Sequence, residues 1–325
     1  MGTGARAVIT MRQHAISIAA IFLALAIGIV LGSGLLSNGL VAGLRDDKAD
    51  LGRQLDAAQE ETNRLNEQLG AADGFDAAVA GRVVRDTLAE RSVLLVTTPD
   101  TDPGDVDGVT RTIEAAGGAV SGRIALTDEF VDARSGDRLR TVVNNVVPAG
   151  VSLGTGAVDQ GSMAGDLLGS VLVAPADAPG PPATAEERAL ALDALRGGGF
   201  LSYEGGDVVP GQAAVVVTGG QSPEEAEAPT GNRGAVVARF AAALDARGGG
   251  VVLAGGSGAA QGNGAIAVAR ADAALAAAVT TVDDVDRESG RITVPLALAE
   301  QLGGGAGRYG TGPGASAVTV GAAQG

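Results

Sequence analysis

The uncharged run from Ala15 to Leu36, AISIAAIFLALAIGIVLGSGLL, constrains this chain more than anything else in it. As a helix rising 1.5 Å per residue it reaches roughly 33 Å, enough to cross a bilayer hydrocarbon core of about 30 Å. Arg6 and Arg12 precede the run with no acidic residue among them, whereas Arg45 and Lys48 beyond it are interleaved with Asp46, Asp47 and Asp50. Positive charge is retained on the cytoplasmic side of a membrane. The pattern therefore predicts a cytoplasmic N-terminus over 1–14, a transmembrane helix over 15–36, and an extracytoplasmic remainder. Met11 is an alternative start. The rival reading is a cleaved signal peptide, whose apolar core is normally about 7–15 residues long; Gly32-Ser33-Gly34 is a weak cleavage match.

Gly28 and Gly32 form a GxxxG within the span, a spacing that lets helix backbones approach closely in lipid. Ordinary small residues in an Ala/Gly-rich span give the same pattern. Beyond the span, Val41, Leu44, Lys48, Leu51, Leu55, Ala58, Thr62, Leu65, Leu69 and Ala72 alternate three- and four-residue steps. That is the a/d seam of a coiled coil over 39–72, with Lys48 and Thr62 as polar interruptions that set register. The alternative is one amphipathic helix packing on its own domain. The candidate oligomerisation residues are Gly28, Gly32, Leu44, Leu51, Leu55, Leu65 and Leu69, and tethering in a membrane would favour a homodimer or higher homo-oligomer.

The rest of the chain must build its core from Ala, Val and Leu, because 46% of its residues are hydrophobic but only 2% aromatic. A net charge of −15 repels phosphates and argues against nucleic acid as a partner. There is no cysteine, so disulfides, thiolate nucleophiles and thiolate metal sites are excluded within this chain. Its one histidine, His14, sits at the membrane edge, leaving Met1, Met11 and Met163 as the other soft-metal donors.

From Arg91 the periodicity changes. Ser92–Thr98 reads as a buried strand, about Asp105–Ala116 as a helix, Gly117-Gly118 as its stop, and Ala119–Leu126 as a second strand: a βαβ unit with a parallel sheet. Helices follow at about Asp137–Val147, Gly161–Val173, Ala185–Arg196 and Ala235–Arg247. Strands are expected at Phe200–Tyr203, Ala213–Thr218, Val251–Ala254 and Asn263–Ala269. Pro175–Thr184 and Gly219–Gly231 read as loops. The fold class is α/β: a transmembrane helix, a coiled-coil helix, then a mostly parallel α/β domain over 91–302, possibly in two half-sheets. The glycine-rich tail 303–325 is expected to be irregular.

The chemical motifs are weak. Gly255-Gly-Ser-Gly258 follows a strand but lacks the third glycine of a dinucleotide fingerprint, so it reads as a Gly-rich turn. Asp105, Asp107, Gly108 and Glu114 copy part of a calcium loop, but Pro103 stands where the first ligand belongs; a helix N-terminus favouring Asp explains them better. Asp283, Asp284, Asp286 and Glu288 read as a solvated acidic loop. A Ser–His–Asp triad would need a histidine beyond the span. The chain is not expected to be an enzyme, and no cofactor is called for.

Several stretches carry a resemblance. They are Arg12–Ala20 running into Gly32-Ser-Gly34, Leu126–Ala133, Val158–Gly169, Arg239–Leu244, Thr281–Asp286 and Tyr309–Gly312. In order along the chain, they resemble the MctB family of actinobacterial copper transport proteins. The resemblance implies a pore-forming envelope protein, described at the outer membrane, that limits intracellular copper, with copper as the transported ion. A related corynebacterial branch implies control of cell separation through a cell-wall hydrolase or similar envelope partner. No ligand motif carries over, so metal-binding residues stay unassigned. A transmembrane β-barrel would need repeated alternating segments and aromatic girdles. Two tyrosines, five phenylalanines and no tryptophan do not supply them.

Overall fold

The computed structural model describes residues 11–32, 35–174, 181, 183–203, 208–220 and 232–321. The chain divides into two compact units, Met1–Ala71 and Ala72–Gly325.

The first unit is helical. Helix α1 spans Met11–Gly32 and contains a 20-residue stretch, Met11–Val30, long and apolar enough to cross a membrane. It begins four residues ahead of the expected span, because Met11–His14 contain no helix breaker. Its large apolar side chains, Ile21, Phe22 and Leu23 among them, are exposed. Helix α2 runs from Leu35 to Val83, 49 residues, and carries i,i+3 ion pairs Arg53–Asp50 and Arg64–Glu61 on its surface.

The second unit is built on one sheet rather than two half-sheets. Strands β1 (Ser92–Thr97), β2 (Ala119–Leu126), β3 (Leu201–Ser202), β4 (Ala213–Thr218), β5 (Val251–Gly255), β6 (Thr280–Val282) and β7 (Arg308–Tyr309) pair in the order β3-β2-β1-β4-β5-β6-β7. All pairings are parallel except β2 with β3 at the edge. Parallel strands covered on both faces read as continuous apolar runs, and β1, β4 and β5 do. Leu94, Val96, Ala214, Val216, Val251 and Leu253 enter one core. Val93, Leu95, Val215, Val217, Val252 and Ala254 enter the other.

Helices fill both faces. Helices α3 (Pro103–Ala115) and α11 (Glu288–Leu302), with Ala80, Val84 and Leu88 beside them, cover the second core. The first is covered by α4 (Asp128–Val131), α5 (Gly136–Asn145), α6 (Gln160–Leu172), α7 (Ala185–Gly197), α8 (Arg233–Asp245), α9 (Ala265–Ala271) and α10 (Ala273–Ala278).

Three expectations need correction. Asn263–Ala269 is not a strand: α9 occupies it, burying Ala265, Ile266, Ala269 and Arg270. The i, i+1, i+4, i+5 spacing of those residues is helical, and alanine favours that state. The tail is not uniformly irregular either, since it supplies the seventh strand. Finally, Asp283, Asp284 and Glu288 are buried, not solvated, Asp283 being 0% exposed. Of the two expected loops, 175–180, 182 and 221–231 lie outside the described residues.

Candidate functional site

The strand order reverses between β1 and β4, and in open α/β sheets ligands collect in the crevice outside the carboxyl ends of the strands at such a point. Here the crevice floor is stitched together. The Thr98 amide donates to the Val217 carbonyl at 3.1 Å, and the Thr101 hydroxyl to the same oxygen at 2.8 Å. The Thr98 hydroxyl reaches the Asp100 carboxylate and Thr218 Oγ1. A Cβ on Gly219 would stand 1.9 Å from the Asp100 carbonyl oxygen, and one on Gly220 would stand 2.9 Å from the Gly258 nitrogen. The turn at Ser257–Ala260 is held by Asp286, which accepts from the Ser257 amide at 3.0 Å and its hydroxyl at 3.1 Å. A dinucleotide loop would keep its amides free for phosphate. A cleft of about 640 Å³ opens beside this edge, lined in part by Thr97, Thr101, Arg123, Ser202 and Tyr203.

The calcium-like segment is a helix. Asp102 caps α3 by accepting from the Gly104 amide at 2.7 Å, and Asp105 pairs with Arg291 at 3.0 Å. Burial raises the Asp105 carboxyl above its ordinary range, with Arg291 opposing the shift.

The acidic stretch after β6 is a latch. Arg270 donates to Asp283 Oδ2 at 2.6 Å, to Thr281 Oγ1 at 3.0 Å, and to the carbonyls of Tyr309 at 2.7 Å and Pro313 at 3.1 Å. The Thr311 amide is shared by Asp283 Oδ1 at 2.8 Å and Asp284 Oδ2 at 2.9 Å. Asp284 has a left-handed backbone, φ 62°, and Gly310, φ 129°, leaves no room for a side chain against Asp283. Strain of this kind persists only where surrounding contacts impose it. Burial, reinforced by the neighbouring Asp283, pushes the Asp284 carboxyl up to about 6. Burial also works to raise Asp283, but its hydrogen bond with Asp284 and the Arg270 charge outweigh it and hold that carboxyl low. Among the described residues, no three His, Cys, Asp or Glu side chains come together as a metal site.

A second convergence joins α4, α6 and α8. Phe130 meets Phe240 edge-to-face with ring centroids 5.4 Å apart, and Gln160 Nε2 donates to the Phe130 carbonyl at 3.1 Å. Gly161, Gly165 and Gly169 form a stripe on α6. A Cβ on Gly161 would stand 2.3 Å from the Val236 carbonyl oxygen, and one on Gly165 would stand 2.3 Å from that of Phe240. Only glycine lets the two backbones come this close. Asp166, between them, accepts two bonds from Arg247, both at 2.6 Å.

The family profile described as "Copper transport outer membrane protein, MctB" matches residues 8–320. The chain belongs to the MctB family. It is 50% identical over 315 residues to the copper transporter MctB of Mycobacterium tuberculosis (strain ATCC 25618 / H37Rv), covering 96% of this chain and 99% of that one. The copper transporter MctB of Mycobacterium leprae (strain TN) is 48% identical over 318 residues, with the same coverage.

The stretches that carry the MctB resemblance are largely the two clusters just described. Thr281–Asp286 meets Tyr309–Gly312 in the latch, and Leu126–Ala133 meets Val158–Gly169 and Arg239–Leu244 around the glycine stripe. Sequence reasoning missed both. The α6 stripe was legible as a GxxxGxxxG, but the facing backbone of α8 was not.

The predicted oligomerisation residues sit on the N-terminal helices. Around Gly28 and Gly32 nothing lies within 4 Å of where a Cβ would stand. Leu51, Leu55, Leu65 and Leu69 are 65, 59, 45 and 46% exposed. The side chain of Leu44 lies outside the described residues. These are apolar surfaces that a single chain leaves open.

Proposed function

We propose that this chain takes part in copper transport at the cell envelope, as a single-span protein that works as a self-associated assembly. The near full-length match to copper transporters carries the reading. The arginine-flanked apolar helix supports an N-terminus in the cytoplasm and an outer α/β domain, 91–302 with its C-terminal extension, beyond the membrane. One Ala/Leu-rich helix offers no polar lining for an ion, so transport needs several anchors together. The open faces of Gly28, Gly32, Leu51, Leu55, Leu65 and Leu69 support association through the span and a coiled coil over 39–72. The outer domain acts without covalent catalysis, as an assembly and docking element. Deleting the gene is expected to raise cellular copper and copper sensitivity, with full correction by the intact chain and loss of correction when 39–72 is removed. Unchanged copper in the deletion strain would overturn the reading.

A second reading follows from the exposed leucines of α2 and from Phe75, 67% exposed beyond them. On it, the rod is a non-catalytic scaffold that docks an envelope partner, such as a cell-wall hydrolase, and governs cell separation. It predicts septal defects without copper accumulation in the same deletion strain.

A further inference from the structure

The soft-metal donors of this chain are few and their placement is uneven. There is one histidine, no cysteine and three methionines. Met163 is 8% exposed within the outer core, and Met1 lies outside the described residues. The remaining pair, Met11 and His14, stand one turn apart at the start of α1, Met11 being 92% exposed.

At about 100° per residue, His14 and Gly32 point in the same direction after five turns. Ile18, Ile21, Leu25 and Gly28 fall within about 40° of that line, and Met11 about 60° to one side. The stripe that presents the open Gly28 and Gly32 therefore ends in His14 and Met11. Arg12 falls about 160° away, so its charge faces the other side of the helix.

The α6 stripe indicates what such a surface needs: Gly161 and Gly165 are filled by the α8 backbone, whereas Gly28 and Gly32 meet nothing in their own chain. A second copy is the fitting occupant, because the bilayer sets every copy of one span at the same depth and polarity. The His14 side chains of two copies then face each other at one level.

We infer that paired α1 helices form a copper(I) site from His14 and Met11 of each copy, two imidazole nitrogens and two thioether sulfurs, at the end of the span that opens toward the cytosol. Soft thioethers and imidazoles suit copper(I). Binding moves no electron, and neutral imidazole gives up no proton. No single chain completes the site, which explains why no copper motif is legible along one sequence. The inference rests on the copper reading above and names where that ion is first taken up.

The test uses the full chain, purified in lipid nanodiscs without oxygen and titrated with copper(I) against a chromophoric competitor. One copper per two chains is expected, with nitrogen and sulfur scatterers in X-ray absorption. His14→Ala and Met11→Leu should each weaken binding at least tenfold while leaving Leu51→Cys cross-linking between copies intact. Gly28→Leu with Gly32→Leu should abolish both. No binding by the native chain, undiminished binding by the Met11→Leu/His14→Ala double variant, or binding that survives separation of the copies would each overturn the site. Cells keep the two ideas apart. Raised copper in the deletion strain that the double variant corrects fully overturns the site and leaves the copper reading standing. Unchanged copper in that strain overturns the reading itself, and uptake for transport with it.

Discussion

Two glycine stripes occur in this molecule, and only one of them has its partner in the same chain. On α6, Gly161 and Gly165 press against the carbonyls of Val236 and Phe240, and Asp166 between them is locked to Arg247. On α1, Gly28 and Gly32 face open space on an apolar helix. The same spacing has thus been completed inside the outer domain and left incomplete in the span. A small-residue stripe predicts close backbone approach, but only the surroundings say whether the approaching backbone belongs to this chain or another.

The sharpest way to break the comparison is to fill both stripes. Gly161→Leu with Gly165→Leu overpacks two backbone contacts at about 1–3 kcal/mol each or more, roughly 5 kcal/mol together. Against a usual domain stability of about 5–15 kcal/mol, that should abolish or severely lower the cooperative melt of the outer domain in circular dichroism. Leucines at Gly28 and Gly32 should leave that same melt where it is and instead cut cross-linking between copies. A domain unharmed by the first pair, or a melt lowered by the second, would end the contrast.

Next in size is the latch, which shares with α6 the property of having every charge answered. Arg270→Ala leaves Asp283 buried without its cation, a loss of about 3–5 kcal/mol. The melting temperature should fall by roughly 6–20 °C for a domain of this size.

The smallest expected effect is on pH. Asp284, raised to about 6 in the fold, binds its proton more tightly than in the unfolded chain. Its contribution is therefore full below the ordinary carboxyl range near 4 and is lost as pH rises through 6. Asp283, held low, contributes above that range and fails only in stronger acid. The segment 308–317 should accordingly be best protected in hydrogen exchange between about pH 4 and 6 and loosen toward pH 7. Asp284→Asn should flatten the profile across that window. Protection that increases toward pH 7 in the native chain would contradict the assignment.

Much of the outer domain was legible because buried parallel strands must be continuous apolar runs: Ser92–Thr98, Ala213–Thr218 and Val251–Ala254 announce themselves. Asn263–Ala269 misled because a short alanine-rich run has little period of its own, and Arg270, anchored on Asp283, decides its helical face. The acidic stretch after β6 looked solvated because its partners lie elsewhere. Arg270 stands on the preceding crossover and Thr311 in a glycine-rich tail, and neither is a local neighbour. The weak dinucleotide and calcium patterns were rightly set aside on local grounds, a missing glycine and a proline at a ligand position.

What the sequence determined alone is whatever depends on composition and period. An uncharged run of membrane length needs no tertiary contact to be apolar, a heptad seam needs none to line up, and the alternation of strand and helix patterns suffices for an α/β domain. What only the tertiary structure decided is which polar and small residues are brought together. Asp283 with Arg270 and Thr311, and Gly165 with the Phe240 backbone, acquire their roles from groups distant along the chain. Burial and close approach belong to pairs of segments, and one segment read by itself does not contain them.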